Sequence, residues 1–356
     1  MRVLVAPDRF AGSLTAAQAG AAMAAGWARV AAYDALEVLP LSDGGPGFLD
    51  VLQAALGGKP AAVTVTGPLG GAVPARILSV DGTAYIEAAE AVGLHLTACQ
   101  GHAGEPADCA AQTPCAERAS SRGVGELLAA AVATGARRVV VGVGGTATTE
   151  GGRGLVAALG DLAAGRERLA GVEVVAATAT DAPLMGHSGA AHGFAAGKGA
   201  DRATRDRLEE RLRNWATETD GKLAVHPGAG AGGGIGFGLL LLGARRVNGT
   251  ELVAAAVGLD DRVASADLAL TGLGVFDWES MRGRVPAAVA RAAQRAGRPT
   301  VLLADRVEVG RRELGNAGID AAYAVADLLG EGPRGGERLA GAAARVARTW
   351  SHEASR

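Results

Sequence analysis

The chain lacks the features that mark several large classes of protein. Its 356 residues carry a formal net charge of only −2 and show no basic face, so a nucleic-acid partner is not expected. The longest apolar run, FGLLLLGA, is too short to span a bilayer, and no signal peptide precedes the strand-like VLVAPD. Three cysteines, an odd number, favour a reducing compartment over a disulfide framework. We therefore expect a cytoplasmic protein with no membrane partner.

The common nucleotide-binding fingerprints are also missing or incomplete. The P-loop pattern G-x-x-x-x-G-K-[ST] is absent, because GFAAGKG is one residue short and lacks the hydroxyl. GVGGTA fits the dinucleotide fingerprint, but no second strand ends in an acidic residue about twenty residues later. GAGAGG also fits, but LAVHP before it is a poor strand. The incomplete dinucleotide fingerprints disfavour a dehydrogenase, and the missing P-loop pattern places any ATP site outside the P-loop class.

Glycine is abundant, with 55 residues, many of them in three glycine-rich turns. The turns are LSDGGPGF, VVVGVGGTATTEGG and HPGAGAGGGIGFG. In the second turn a β-branched apolar strand leads into the glycines and an amphipathic segment follows. Glycines let backbone N–H groups approach an anion, and a helix N-terminus behind them favours negative charge. This pattern indicates an enzyme that acts on a nucleotide or an anionic metabolite.

Strand and helix patterns alternate along most of the chain, which predicts an α/β fold with largely parallel sheets. The rhythm changes at AAVTVTGP, PARILSV and TAYIEAAE, three short strands with little room for helices between them. They predict an antiparallel element that opens a second domain. The simple alternation of strand and helix patterns returns near residue 260. We therefore predict a discontinuous Rossmann-like α/β domain of residues 1–59 and 260–356, with a second α/β domain of residues 60–259 inserted into it.

Seven motifs occur in the order of one known family. They are APDRFAGSL, DGGPGF, GGTATTEGG, TDAPL, GKGAD, GAGAGGGIGFG and TGLGVFD. The family's versions are APDSFKGS, DGGEG, GGSATNDGG, CDVxNPL, QKGA, GAGAAGGLGFG and TGEGxxD. Through nearly its whole length, the chain thus resembles the glycerate kinase family of bacterial ATP-dependent enzymes. The resemblance implies two different α/β domains, one flavodoxin-like, with the site in the cleft between them. It also implies ATP and Mg²⁺ as cofactors and phosphoryl transfer to a small hydroxy acid.

Several polar positions of the family are replaced in this chain, whereas most of the glycines remain. The replacements are Arg9 for serine, Ala11 for lysine, Pro46 for glutamate, Thr149 for asparagine, Glu150 for aspartate and Leu273 for glutamate. They leave an alternative open: a weakened or non-catalytic relative that binds a small acid or a nucleotide.

The catalytic candidates are three carboxylates, Asp43, Asp181 and Glu150. Asp43 lies where a strand ends and a helix begins, the place where open α/β sheets bind ligands, although an aspartate there can also simply form the turn. Asp181 matches the acidic segment of the family, although it too can simply form a turn. Glu150 would replace the family's aspartate. Its side chain is one methylene longer, which can misplace the negative charge.

The second group of candidates would bind the hydroxy acid. Its members are Asp8, Arg9, Gly12, Ser13, Gly44, Gly45 and Lys198. Arg9 can supply the positive charge of the missing lysine, or it is a solvated surface arginine. Ser13 can cap the following helix, bind a substrate carboxylate, or do both. Lys198 lies between two glycines and can reach a phosphate.

The third group would bind the nucleotide phosphates. Its members are Gly144, Gly145, Thr146, Thr148, Gly151, Gly230, Gly232, Gly233, Thr271 and Gly272. The hydroxyls of Thr146, Thr148 and Thr149 can contact a phosphate or a metal ion, and the sequence does not identify metal ligands. The expected partners are ATP and a small hydroxy acid; a homo-oligomer is left open.

One stretch gathers potential zinc ligands, namely His95, Cys99, His102, Cys109 and Cys115. The intervals between its cysteines match no standard zinc knuckle. We predict a surface loop without metal.

Overall fold

The structure is a computed structural model that describes residues 1–97 and 115–351. In chain order its strands are β1 (Arg2–Val5), β2 (Ala35–Val38), β3 (Lys59–Thr66), β4 (Ala72–Val80), β5 (Thr83–Glu87), β6 (Arg138–Val143), β7 (Glu173–Thr178), β8 (Arg245–Asn248), β9 (Leu268–Phe276), β10 (Thr300–Val307) and β11 (Ala321–Ala324). Its α-helices are α1 (Ala16–Ala28), α2 (Phe48–Leu56), α3 (Ala88–Val92), α4 (Cys115–Arg118), α5 (Arg122–Ala133), α6 (Arg153–Ala158), α7 (Leu162–Arg168), α8 (Ala190–Phe194), α9 (Arg202–Glu218), α10 (Ala231–Leu241), α11 (Gly249–Ala256), α12 (Leu259–Ser265), α13 (Val285–Ala296), α14 (Arg311–Asn316), α15 (Val325–Leu329) and α16 (Gly336–Trp350).

These elements form two compact units, each with its own sheet and its own buried core. Unit 1 comprises Met1–Asp43 together with Thr250–Arg356, and unit 2 is the continuous stretch Gly44–Gly249. Two α/β units, one inserted into the other, agree with the fold class expected from the sequence.

Unit 1 is built on a five-stranded sheet in the order β11-β10-β9-β1-β2. All neighbouring strands are parallel. Counted along the unit, this is the 2-1-3-4-5 order of flavodoxin-like folds, as the resemblance implied. The order reverses between β1 and β9, and in such sheets a crevice for ligands opens beyond the carboxyl ends of the strands at that point.

The helix that follows β1 begins with a capping box. Thr15 Oγ1 accepts a hydrogen bond from the Gln18 backbone N–H at 3.2 Å, and Gln18 Oε1 accepts one from the Thr15 N–H at 3.0 Å. Two otherwise unpaired donors are satisfied in this way, which defines the start of α1. Residues 6–14 between β1 and this cap are therefore left as a loop at the carboxyl end of the strand.

Unit 2 contains a six-stranded sheet in the order β3-β4-β5-β6-β7-β8. The pairs β3–β4 and β4–β5 are antiparallel, which confirms the antiparallel element expected there. The remaining pairs are parallel. Val139, Val141 and Val143 of β6 are buried in the unit's core together with Leu127 and Ile235, so the glycine-rich loop after β6 leaves a rigid strand.

The divisions between the two units fall at 43/44 and 249/250, earlier in the chain than the boundaries at 59/60 and 259/260 expected from the sequence. The difference concerns α2 above all. The alternation of strand and helix patterns changes at β3, but α2 before it already packs on the second sheet. There Phe48 of α2 contacts Tyr85 edge to face, with 6.5 Å between ring centroids.

Within residues 1–97 and 115–351, no helix has both the length and the apolar character that a membrane crossing requires.

Candidate active site

Two buried carboxylates lie in the loops that follow β1 and β2 in unit 1. Asp8 is 5% exposed and Asp43 is 7% exposed. The Asp8 backbone N–H donates to the Gly272 carbonyl at 2.8 Å, and this bond links the loop to β9 at the reversal of strand order. The Asp8 carboxylate accepts a hydrogen bond from the Arg9 N–H at 2.7 Å. The structure thus brings together two of the sequence candidates where ligands bind in this fold.

Burial and charge act strongly on this pair. Burial and, second to it, the negative charge of Asp43 raise the pKa of Asp8 to about 7, against the lowering effects of Arg9 and Arg284. A carboxyl group with such a pKa can take up and release a proton near neutral pH.

Arg284, which the sequence reasoning missed, faces the same two carboxylates. Burial disfavours its charged form, but the negative charges of Asp43, Glu279, Asp277 and Asp8, in decreasing order, outweigh burial and raise its pKa. Arg284 is the N-cap residue of α13, and its Nη2 lies 3.2 Å from Glu279 Oε2. The motif TGLGVFD ends at residue 277, and Arg284 lies a few residues beyond it. The available sequence signal was an arginine shortly before a proline in the first turn of the next helix.

The other candidates of unit 1 are held by the backbone. The Ser13 hydroxyl donates to the Phe10 carbonyl at 3.2 Å, and Thr15, not Ser13, caps α1. Gly12 has a left-handed φ of 81° in the same turn. The hydroxyl of Thr271 donates to the Ala6 carbonyl at 2.8 Å, so it ties β9 to the end of β1.

The family's glutamate position in TGLGVFD has become part of an apolar core. Leu273 is 4% exposed and packs with Phe276 and Leu302. A carboxylate at this position would be buried among apolar side chains. The replacement is therefore consistent with the local packing of this chain.

In unit 2, the glycines of two motifs pack directly against each other. A Cβ atom at Gly144 would lie 2.8 Å from the Gly45 Cα, and one at Gly145 would lie 2.5 Å from Pro46 Cδ. Similarly, a Cβ at Gly44 would lie 2.7 Å from the Ala177 carbonyl oxygen. The DGGPG turn and the loop after β6 can approach this closely only because side chains are absent.

A buried carboxylate that the sequence reasoning missed holds the end of the DGGPG turn. Glu87, the last residue of β5, accepts hydrogen bonds from the backbone N–H groups of Gly47 and Leu49, both at 3.2 Å. Burial, helped by the charge of Glu90, raises the pKa of Glu87 to about 7. Glu87 therefore positions the start of α2, and its place at the carboxyl end of a strand was the available signal.

The glycines of the third motif support the loop after β6 from its other side. A Cβ at Gly233 would lie 1.7 Å from the Thr148 carbonyl oxygen, and the Gly151 N–H donates to the Gly233 carbonyl at 3.1 Å. The Thr148 hydroxyl donates to the Gly232 carbonyl at 2.9 Å. Gly230 packs elsewhere, against the Pro183 carbonyl.

Lys198 reaches the same loop although it lies far away in the sequence. Its Nζ donates to the Thr148 carbonyl at 2.5 Å and lies 3.4 Å from Thr149 Oγ1. Lys198 is 7% exposed, and burial lowers its pKa to about 7. The structure thus joins Lys198, which was grouped with the hydroxy-acid residues, to the residues expected to bind phosphate.

The two other catalytic candidates have protein partners. Glu150 Oε1 accepts hydrogen bonds from the Ser121 N–H at 2.6 Å, the Ser121 hydroxyl at 2.7 Å and the Gly154 N–H at 3.0 Å. It thereby connects α5 and α6. Asp181 is exposed and forms an ion pair with Arg246, whose Nε donates to Thr178 Oγ1 at 2.8 Å.

The potential zinc ligands lie mostly outside the described residues. Cys99, His102 and Cys109 fall in the gap, so the predicted loop there stays a prediction. Cys115 is disulfide-bonded, which contradicts the expectation of reduced cysteines for this residue. Among residues 1–97 and 115–351, no group of three or more histidine, cysteine, aspartate or glutamate side chains could hold a metal ion.

Known proteins are similar to this chain over almost its whole length. A family model described as the glycerate kinase family matches residues 3–165 and 160–351. An uncharacterised protein of Mycobacterium bovis is 45% identical over 337 residues, covering 93% of this chain and 85% of the relative. A glycerate kinase of Halalkalibacterium halodurans is 34% identical over 390 residues, covering 98% of both. A crystal structure from Salmonella typhimurium LT2, of a protein assigned as glycerate kinase 2, has a TM-score of 0.70 and 29% identity, with 98% of each chain covered.

Proposed function

The chain belongs to the glycerate kinase family, and on that premise we propose that it transfers the γ-phosphoryl group of ATP to a hydroxyl of glycerate or of a similar small hydroxy acid. The observation that carries the proposal is the buried pair Asp8 and Asp43 facing Arg284. A hydroxy acid has a carboxylate that needs a cation and a hydroxyl that needs a proton acceptor. These residues of unit 1 provide both.

The acceptor would bind through its carboxylate to Arg284, whose planar guanidinium suits bidentate contact. Arg9, half-buried beside Asp8, would add positive charge. The hydroxyl oxygen of the acceptor forms a bond to the γ-phosphorus, and the bond from this phosphorus to the β,γ-bridging oxygen breaks. ADP leaves, and the hydroxyl proton passes to the Asp8 carboxylate, whose pKa of about 7 suits it to this step.

The glycine-rich loop after β6 would hold the nucleotide phosphates in unit 2. Gly144 and Gly145 leave the backbone free of side chains on the loop, and backbone N–H groups are common ligands of phosphate. Phosphoryl transfer depends mostly on positioning and charge neutralisation, which a rigid loop supplies. Thr146 and Thr149, buried in the same loop, add hydroxyl groups.

We also propose Mg²⁺ as the metal, since Mg²⁺ is usually held by one or two carboxylates together with substrate phosphates. The described residues fit this mode better than a cage of three or more protein ligands. Asp43, buried beside Asp8, would hold the ion. When bound, the ion would neutralise charge on the transferred phosphoryl group.

The proposal is tested by measuring ADP release from the purified full chain with ATP, Mg²⁺ and a panel of small hydroxy acids. Glycerol, which lacks the carboxylate, and propionate, which lacks the hydroxyl, are matched controls. We expect turnover with glycerate or a close hydroxy acid and none with either control, and a loss of most of the rate in EDTA. Intact ATP binding without turnover on any acid would instead identify a non-catalytic member of the family.

A further inference from the structure

Lys198 is a buried cation whose partners among the described residues are neutral. Its Nζ contacts the Thr148 carbonyl at 2.5 Å and the Thr149 hydroxyl at 3.4 Å. It ends a short 3₁₀ turn, Ala195–Lys198, and Gly199 follows in the left-handed region with a φ of 83°. The side chain is thus directed into the loop after β6 by a fixed turn.

Several charged groups on the described helices that contact this 3₁₀ turn have other partners. On α8, His192 lies 3.8 Å from Asp206. On α4, Glu117 pairs with two arginines of α9, and Asp201 caps α9 through the Thr204 N–H. Helix α10 carries no charged residue.

In the loop itself, Glu150 is bound by the Ser121 and Gly154 groups. Burial is accordingly the cause that lowers the pKa of Lys198 to about 7, and no carboxylate of residues 1–97 or 115–351 opposes it. An ammonium ion buried without a counter-ion is costly, and the cost is removed when an anion binds beside it.

A second observation in the same loop also indicates a ligand. The Thr146 hydroxyl is buried, and no described residue forms a hydrogen bond with it. Buried polar atoms are rarely left without a partner. Phosphate oxygens accept hydrogen bonds and carry negative charge, so one phosphate group can satisfy both a hydroxyl and an ammonium.

We propose that Lys198, with Thr149 and Thr146, binds a phosphate group of a nucleoside triphosphate, and that the anion supplies a counter-charge which the described residues do not provide. The inference rests on the proposed function and deepens it, because it moves Lys198 from the hydroxy acid to the nucleotide. A consequence is that binding is linked to protonation. An anion beside Nζ favours the charged amine, so the protein takes up a proton when ATP binds near neutral pH.

The test uses carbon-13 labelled lysine in the full chain. The chain has only three lysines, so the ε-methylene resonances are few, and Lys198→Arg identifies the signal of Lys198. Without ligand we expect this signal to titrate near pH 7. With saturating ATP or tripolyphosphate the midpoint should rise by roughly two pH units, toward the usual range of lysine. Glycerate alone should leave it unchanged.

A midpoint that stays near 7 with ATP, or one that rises with glycerate alone, would overturn the assignment. The result is independent of turnover: a shift with ATP in a chain without kinase activity keeps the site and rejects the proposed function. Binding measurements add a second arm. Lys198→Met should weaken ATP at least about tenfold, as expected for a lost charge-assisted contact.

The exposed Lys222→Met is the matched control and should leave ATP affinity within about twofold, because an isolated exposed charge contributes little. Lys198→Arg keeps the charge at all working pH values, so it should retain binding better than Lys198→Met. Equal loss in Lys222→Met and Lys198→Met would contradict a specific contact.

Discussion

The two units differ in the charged groups buried at the loops that follow their strands. In unit 1, Asp8 and Asp43 are buried together and face Arg284. In unit 2, the loop after β6 is contacted by the buried Lys198, with no carboxylate paired to it in the described chain. The first set can accept a proton and bind a carboxylate; the second can only attract an anion. Under the proposed function, each unit would recognise a different substrate.

Burial moves both sets toward neutral pH from opposite directions. It raises the pKa of Asp8 to about 7 and lowers that of Lys198 to about 7. Each group would be uncharged more often than its residue type usually is, and a ligand that supplies the missing opposite charge restores its charged form. We therefore expect ATP binding to be coupled to protonation of Lys198, and metal binding by Asp43 to be coupled to deprotonation of Asp8.

The largest effect should come from Asp43→Asn, which removes negative charge from unit 1 without changing side-chain volume. We expect ADP release in the presence of glycerate to fall by about a thousandfold, within the range for loss of a catalytic group or metal contact. The exposed Asp260→Asn is the control and should keep its activity. A fully active Asp43→Asn enzyme would make Asp43 a turn residue.

The next effect separates the acceptor from the nucleotide. Arg284→Met should raise KM for the hydroxy acid by about ten- to a hundredfold while KM for ATP changes by less than about twofold, since only the acid would lose a charge-assisted contact. Arg284→Lys should recover part of the loss. The neighbouring, exposed Arg282→Met is the control. A rise in KM for ATP alone would reverse the assignment of the units.

A smaller effect concerns stability and its dependence on pH. The folded pKa of Asp8 lies above its unfolded value of 3.8, so the folded state binds more protons, and its stabilisation is lost as the pH rises from about 4 through about 7. Asp8→Asn removes this loss. We expect the variant to melt several degrees above the wild type at pH 8, a gain of about 2 kcal/mol or more, and to show little gain at pH 4.

Thermal unfolding monitored by circular dichroism at the two pH values provides the measurement. Asp260→Asn again serves as the control and should melt at the wild-type temperature at each pH. If Asp8→Asn instead lowered the melting temperature below that of the wild type at pH 8 but not at pH 4, the folded state would stabilise Asp8 as an anion.

The smallest effect on activity should come from Glu150→Asp. If Glu150 only substitutes for the family's aspartate, the shorter side chain should raise turnover. Its bonds to Ser121 and Gly154 lead us to expect instead an unchanged or lower rate and a loss of about 2 kcal/mol of stability, because a half-buried carboxylate loses its donors. A clear gain in turnover would restore the catalytic assignment.

Much of the fold could be predicted from the sequence because it depends on local patterns. The antiparallel strands β3 to β5 and the parallel strand β6 have short-range signatures, and Thr15 was recognisable as a helix cap. The start of the second unit was harder, because α2 reads as an ordinary helix after a strand. Only its packing, such as Phe48 on Tyr85, assigns it to the second sheet.

The site was predictable only where the motif itself contains the functional group. Asp8 and Asp43 follow strands and could be selected on that basis. Arg284 follows an irregular loop, and its importance depends on carboxylates brought near by the fold. Lys198 and Thr148 are fifty positions apart, and no local sequence pattern reveals that they form a hydrogen bond.

The most direct test of the contrast between the units is equilibrium binding of both substrates to both variants. Isothermal titration calorimetry would measure the Kd of ATP and of glycerate for Lys198→Met and Arg284→Met beside the wild type. We predict that Lys198→Met weakens ATP at least about tenfold and leaves glycerate within about twofold, and that Arg284→Met does the reverse. If both variants weaken the same ligand and spare the other, the two units do not divide the substrates between them, and the account is wrong.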